Sequence, residues 1–241
     1  MNELKTAIEN LYDTFSKYTT EGIHYCNCGC VKEEDVKKLN SKPLRQLEED
    51  DLVCYHGSAL YTWGEVEHYK HYLPRICELR SQNRSFAFIN LDEMFSKLEY
   101  AKWTEWPEQE QQAIKDYVIA DWIELVNMKT SEIRDIELKE YGKYFGINEL
   151  LRLWTISEHD NSLRNFVYFF YYHGTQILNG GLKIDNKRYE GEFLDWIARN
   201  DLTNKLETTF FNTDKKDEDY AEKISVVLQM IEQELRIKNG R

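Results

Sequence analysis

Apolar side chains recur every three or four residues along most of this chain, which is the spacing of one face of an α-helix. Leu4, Ile8, Leu11, Phe15 and Tyr18 form such a stripe at the start. The 241 residues include only 3 prolines and 11 glycines, so few positions interrupt the pattern. The sequence therefore predicts an all-α fold: an irregular multi-helix bundle or short helical stack of about ten helices, with at most a minor extended segment.

Capping signals and breaks divide the stripe into segments. Gly64 should end one helix, Pro74 should open the next, and Asn90 should cap another. We expect helices over residues 4–18, 33–39, 50–64, 74–80, 90–98, 107–125, 130–146, 148–156, 162–173, 190–199, 202–211 and 219–238.

Two short stretches, Ser85–Ile89 and Leu182–Ile184, are the candidates for extended structure. The weakest point of helical continuity lies at Ser81–Arg84. It predicts a boundary between an N-terminal helical subdomain, residues 1–83 with the cysteine-rich loop, and a C-terminal helical subdomain, residues 84–241. The short connections predict that both belong to one compact unit.

The chain is acidic, with 31 Lys and Arg against 43 Asp and Glu and a net charge of −12. Such a surface repels nucleic-acid phosphates and anionic lipids, so neither direct nucleic-acid binding nor membrane binding is expected. The start lacks a basic segment followed by an apolar one, and the longest apolar run, Phe166–Tyr172, is too short to span a bilayer. We expect a cytoplasmic protein, and the charge favours either simple solubility or a basic protein partner.

Cysteines crowd together in one loop, where Cys26, Cys28 and Cys30 follow His24. Thiolates and imidazoles are zinc ligands, and Gly29 lets the backbone bend so that sulfurs can approach one another. These four residues are therefore the candidate zinc ligands, with Cys54, Cys77, His56 or His71 as other sources of the fourth. The chain lacks paired Cys-x-x-Cys motifs, so reduced thiols without metal, or thiol redox chemistry, remain alternatives.

The other histidines have structural explanations. His68 and His71 would share one helical face, which we expect to be partly exposed. The chain contains no His-Glu-x-x-His, Gly-x-Ser-x-Gly, Walker or Gly-x-Gly-x-x-Gly motif, and nothing singles out a catalytic acid–base pair.

An aromatic segment, Phe166–Tyr172, is apolar around its whole circumference when drawn as a helix. Such a helix is normally buried among others, so a core position is favoured. The functional alternative is the aromatic wall of a ligand pocket.

Several short motifs in the first third of the chain occur together: Cys26-x-Cys28, Lys42-Pro-Leu-Arg45, Thr62-Trp-Gly64 and His71-Tyr-Leu-Pro-Arg75. Over about residues 26–80 they resemble a family of bacterial cytoplasmic proteins with a cysteine cluster followed by Thr-Trp-Gly and Phe-Leu-Pro-Arg. Tyr72 replaces the phenylalanine, and Cys30 is additional. The resemblance implies a bacterial, cytoplasmic, helical protein and brings no activity or catalytic residue.

Two functions are consistent with these features. The first is a non-enzymatic binding protein, of immunity or regulatory type, that recognises a basic partner. The second is a zinc enzyme that combines the cysteine loop with His56, His68 or His71. The absence of a catalytic motif favours the first.

Overall fold

The computed structural model describes residues 3–27, 29–82, 89–129, 133–157, 161–213 and 217–239. This part of the chain folds into twelve α-helices and one two-stranded hairpin, so the all-α prediction is confirmed. The helices are α1 (Glu3–Phe15), α2 (Glu33–Leu39), α3 (Glu49–Ser58), α4 (Val66–Gln82), α5 (Leu91–Tyr100), α6 (Glu108–Asn127), α7 (Asp135–Phe145), α8 (Ile147–Leu153), α9 (Asn161–Gln176), α10 (Glu190–Arg199), α11 (Leu202–Asn212) and α12 (Glu218–Asn239).

Local capping chemistry places most helix ends where it was expected. The side chain of Asn90 accepts a hydrogen bond of 2.8 Å from the amide of Glu93, which caps α5. Pro107 immediately precedes α6, and Gly146, at a φ of 81°, ends α7. Helices α2 and α10 have the predicted bounds.

The predictions for Gly64 and Pro74 are wrong. Helix α3 stops at Ser58, well before Gly64, and Pro74 lies inside the 17 residues of α4. A proline within a helix leaves the carbonyl four residues earlier without its amide partner and costs about 3 kcal/mol. Leu73, Pro74 and Ile76 are buried and α1 packs against α4, so tertiary burial offsets that cost.

The predicted extended segment at Leu182–Ile184 becomes part of a hairpin. Strand β1 (Lys183–Ile184) pairs antiparallel with β2 (Lys187–Arg188). The turn residues Asp185 and Asn186 have φ values of 47° and 68°. Asp and Asn tolerate this left-handed conformation, which two-residue hairpin turns require.

Some predictions fall outside the described residues. They include the extended segment at 85–89 except for Ile89, which is buried. The predicted helix start at Thr130 or Ser131 is wrong, because α7 begins at Asp135 and the backbone of Arg134 before it is extended. The predicted subdomain boundary between residues 83 and 84 is also outside and stays a prediction. The fold itself divides into two compact units, Met1–Asp121 and Trp122–Arg241.

Each unit has its own core. The core of the first unit is formed mainly by α1, α3, α4, α5 and the first part of α6, and it includes Leu11, Phe15, Leu52, Leu73, Ile76, Phe95 and Ile114. The core of the second unit is aromatic, and its rings form a chain of contacts 5.5 to 6.1 Å apart through Trp154, Phe166, Trp196 and Phe193. Burial of such large rings stabilises this unit.

Candidate functional site

The cysteine loop is attached through its backbone to the turn before α4. The amide of Cys26 donates to the carbonyl of Thr62, and the amide of Gly64 donates to the carbonyl of His24, each at 2.8 Å. Tyr25 and Trp63 form a β-bridge between these bonds. The loop therefore lies beside the Trp63–Gly64 segment.

His68 and His71 hold the residues that precede the loop. His68 Nδ1 accepts a 2.9 Å hydrogen bond from the amide of Glu65, so its Nε2 carries the proton and donates to the carbonyl of Glu21 at 3.0 Å. His71 Nδ1 donates to the carbonyl of Tyr18 at 2.8 Å. The face was expected to be partly exposed: His71 is half-buried, but His68 is only 8% exposed, because its ring lies against the segment that it binds. Both histidines therefore have structural roles.

The predicted zinc ligands are only partly described. Cys26 is half-buried and Cys30 is exposed, whereas Cys28 lies outside the described residues. The His24 side chain is 67% exposed, and its Nε2 lies 3.4 Å from Glu65 Oε1. Within the described residues, no three His, Cys, Asp or Glu side chains lie close enough together to hold a metal ion. The zinc site stays a prediction.

The other two described cysteines, Cys54 and Cys77, lie in surroundings that favour the protonated thiol. Burial raises the pKa of the Cys77 thiol far above its usual range, and its Sγ lies 3.7 Å from Met94 Sδ. Burial and a hydrogen bond with Asp35 raise the pKa of Cys54. Metals bind the thiolate, which both environments disfavour.

An ion network around the buried carboxylate of Glu110 joins the residues before the cysteine loop to α4 and α6. The carboxylate of Glu110 receives Lys70 Nζ at 2.8 Å, Lys17 Nζ at 2.7 Å and the Tyr18 hydroxyl at 2.7 Å. Burial alone would raise the pKa of Glu110, but these three hydrogen bonds outweigh it and the pKa is lowered. Two lysines thus neutralise the buried carboxylate and let a polar segment pack against a helical core.

A second polar cluster in this unit is unpaired. The hydroxyls of Tyr55 and Tyr69 and both ring nitrogens of His56 are buried and have no hydrogen-bond partner among the described residues. The rings of His56 and Tyr69 stack with centroids 6.2 Å apart. Burial lowers the pKa of His56 from 6.5 to about 3, so its ring is neutral near pH 7. Nearby Lys97 donates to the carbonyls of Gly57 and Ala59 at 2.8 and 2.9 Å and thereby caps the end of α3.

A groove with a volume of about 670 Å³ runs between α1 and α6 in the first unit. Its floor contains the small or apolar side chains of Ala7, Ile119 and Ala120. Glu3 and Asp116 are its only charged lining residues in the described part of the chain, and neither forms an ion pair there. The remaining lining residues are Thr6 and Asn10. The groove therefore has an apolar floor and an acidic rim.

The aromatic segment belongs to α9 and is only partly buried. Phe166, Val167, Phe169 and Phe170 are in the core, as predicted, but Tyr172 is 65% exposed. The segment is therefore not buried all round, because α9 faces the surface on its tyrosine side. That side lines a cavity of about 380 Å³, bounded by Ile133, Arg134, Tyr168, Phe169, Tyr172 and His173. The tyrosine side of α9 therefore forms one wall of a cavity, which was the alternative considered for this segment.

Comparison with known proteins adds no relative: no family model, curated protein or solved structure matches the chain. None of the helices in the described part of the chain combines the length and the apolar character that a bilayer crossing needs.

Sequence reasoning missed the unpaired cluster and the groove. The only sequence signal for the groove is the run of small and polar residues at positions 6, 7 and 10 of α1. This signal indicates a groove only when α6 is known to pack beside α1.

Proposed function

We propose that this protein is a non-enzymatic interaction protein, of immunity or regulatory type, that binds a basic protein partner. The observation that supports the proposal best is the groove between α1 and α6, with its apolar floor and acidic rim. An amphipathic helix that carries Lys or Arg beside an apolar stripe matches both features. Small floor residues such as Ala7 and Ala120 allow the partner backbone to approach closely.

The negative charge of the first unit also supports a basic partner. The first unit, residues 1–121, contains 14 Lys and Arg against 22 Asp and Glu, a net charge of −8. The second unit has 17 against 21, a net charge of −4. The field of the first unit attracts a cationic partner and accelerates its association, and salt screens this attraction over a Debye length of about 10 Å at 0.1 M.

The direct test uses a defined peptide. A fluorescent amphipathic helix of about 15 residues, with an Ala/Leu stripe flanked by Lys and Arg, is titrated with the full chain and followed by anisotropy. We expect saturable binding that weakens as salt rises. The same peptide with Glu in place of Lys and Arg, and a scrambled peptide with no stripe, should not bind.

Matched variants locate the site. Glu3→Lys combined with Asp116→Lys should weaken binding about tenfold or more, which is about 1.4 kcal/mol. Asp92→Lys combined with Glu105→Lys changes the net charge equally at exposed positions outside the groove lining and should have a smaller effect. Equal losses for the two double variants would mean that only the general negative charge attracts the peptide, and the groove would be excluded as the site.

The native partner can be found through the same groove. A photo-crosslinking amino acid at Asn10, with Thr175 of α9 as the exposed control position, should capture a partner in the native host only from Asn10. The crosslinked segment is expected to be a basic amphipathic helix. An acidic segment, or equal capture from both positions, would contradict the proposal.

The second candidate function is a zinc-containing enzyme. It is favoured by three thiols within five positions of a loop that backbone hydrogen bonds anchor at Thr62 and Gly64. His24, Cys26, Cys28 and Cys30 would be the ligands. Four protein ligands would indicate a structural site, and an open position would be needed for catalysis. Elemental analysis of protein purified without added metal decides: a folded protein without stoichiometric zinc removes this candidate.

We also propose that the protein acts in the bacterial cytoplasm and does not bind nucleic acid directly. The net charge of −12 supports the second statement, since each phosphate contact would have to overcome this field. A filter-binding measurement with single- and double-stranded DNA at low salt tests it, and retention at micromolar protein would contradict it.

A further inference from the structure

We propose that the cavity in the second unit is a binding site for a planar aromatic carboxylate. Its lining comes from one face of α9 and from the two residues Ile133 and Arg134 that precede α7. The proposal concerns the second unit alone and is independent of the groove between α1 and α6.

The aromatic wall is held rigidly by the core behind it. Phe169 is buried, and its ring centroid lies 5.6 Å from that of Trp154 and 5.5 Å from that of His173. The Tyr168 hydroxyl donates to Asp219 at 3.1 Å, and its ring stacks on Tyr220 with centroids 6.0 Å apart. A ligand ring would therefore meet surfaces that do not have to reorganise, which lowers the entropy lost on binding.

Tyr172 gives the wall an exposed edge. Its side chain is 65% exposed and contacts the neighbouring Tyr171 edge-on, at 5.1 Å between centroids. A flat ring seated in the cavity can cover the face of Tyr172 and remove apolar area from water. Offset or edge-on contacts between rings favour an aromatic ligand over an aliphatic one of the same size.

Arg134 sets the charge of the ligand. It is the only Lys, Arg, Asp or Glu among the described residues that line the cavity. Its guanidinium uses one Nη on Glu137, at 3.2 Å, and the side chain remains 61% exposed. A guanidinium has five N–H donors, so it can still pair with a carboxylate, which matches its planar geometry. With no acidic side chain in the described lining, an anion is favoured over a cation.

The volume limits the size of the ligand. About 380 Å³ lies near the lower end of the range for small-molecule sites, which is about 300 to 1,000 Å³. One ring or two fused rings with a single carboxylate can be accommodated in such a space.

The test uses three probes with the full chain: 2-naphthoate, 2-naphthalenemethanol, which lacks the charge, and cyclohexanecarboxylate, which lacks the aromatic ring. Binding is measured by calorimetry and by chemical-shift changes of the backbone amides. We expect 2-naphthoate to bind at least tenfold more tightly than either of the others, with shifts at residues 133–134 and 168–173.

Two pairs of variants separate the contribution of the ligand's charge from that of its aromatic ring. Arg134→Gln should weaken 2-naphthoate at least tenfold and leave 2-naphthalenemethanol unchanged. Arg152→Gln is the matched control, because Arg152 is similarly exposed and pairs with Glu149 in the same i,i+3 arrangement. Tyr172→Ala should weaken both aromatic probes, whereas Tyr100→Ala, at a similarly exposed tyrosine in the first unit, should weaken neither.

All four replaced side chains are largely exposed, so the variants are expected to fold, and far-UV circular dichroism verifies this. The proposal is overturned if no probe binds, if 2-naphthalenemethanol binds as tightly as 2-naphthoate, or if Arg134→Gln and Arg152→Gln behave alike. The peptide experiment on the groove is unaffected by any of these outcomes, so the two proposals fail separately.

Discussion

Replacing Tyr69 by phenylalanine tests whether the buried polar cluster of the first unit lacks partners in solution as well. The Tyr69 side chain is fully buried, and its hydroxyl has no hydrogen-bond partner among the described residues. Burial raises the pKa of this phenol well above 10, so it stays neutral at all ordinary pH values. An unpartnered buried hydroxyl costs about 1–3 kcal/mol of desolvation that removing the oxygen would recover.

The substitution also leaves a small void. One oxygen atom corresponds to roughly 15 Å³, and at about 24 cal/mol per Å³ the void costs about 0.4 kcal/mol. The void therefore offsets only a minor part of the recovered desolvation energy. We expect Tyr69→Phe to raise the free energy of unfolding by about 1 kcal/mol or more, which corresponds to about 2–4 °C in Tm for a chain of this length.

Tyr117→Phe is the matched control. Tyr117 is equally buried, but its hydroxyl donates to the carbonyl of Cys77 at 2.9 Å. The substitution removes this hydrogen bond and the 2.9 Å contact between the Tyr117 and Ser81 hydroxyls, so this variant should be about 1–2 kcal/mol less stable than the wild type. The same substitution, tyrosine to phenylalanine, is thus expected to change the free energy of unfolding in opposite directions at the two positions.

Differential scanning calorimetry and urea unfolding followed by circular dichroism measure both variants. The two units can unfold in separate transitions. Both tyrosines lie in the first unit, so the change in stability should be read from the transition that both variants shift. If Tyr69→Phe destabilises the protein as much as Tyr117→Phe does, the Tyr69 hydroxyl has a hydrogen-bond partner in solution, and the inference of an unpaired cluster is refuted.

Three further substitutions in the first unit test its other features. The folded pKa of His56 is about 3 and its ordinary value is 6.5, so the unfolded chain binds this proton first as the pH falls. This proton should lower the free energy of unfolding by about 1.4 kcal/mol for each unit that the pH falls between 6.5 and 3. Urea unfolding of His56→Leu, measured across this pH range, should show that this contribution is lost. Lys97→Met removes the two hydrogen bonds that cap α3 and should cost about 2–3 kcal/mol; an unchanged unfolding midpoint would contradict the capping role. Gly64→Ala should cost more than Gly22→Ala, since both glycines have positive φ, of 72° and 75°, but only at Gly64 would the new Cβ lie 3.1 Å from a histidine side chain. Equal melting temperatures of the two glycine variants would exclude that contact as a cause.

Features that depend on neighbours in the sequence were predictable. Helix bounds follow from hydrogen bonds between residues four apart and from caps such as Asn90, so α2, α5 and α10 could be placed from the sequence.

At Pro74, tertiary packing outweighs the local preference of proline for a helix start. As an isolated signal, a proline after a break favours a helix start, and the penalty inside a helix is real. The observed helix continues through Pro74 because the residues around it are buried against other helices, an energy that no local pattern contains. His68 illustrates the same point, since its burial depends on a segment more than forty positions earlier.

The chain's own pattern thus established a helical, acidic protein and most of its helix ends, since both depend on composition and on short-range hydrogen bonds. Only the tertiary structure revealed the candidate sites. The groove joins residues 3–10 to residues 116–120, and the aromatic cavity joins residues 133–134 to residues 168–173. Side chains so far apart in the sequence become one surface only when helices pack, and helix packing is decided by long-range burial of apolar area rather than by any local signal.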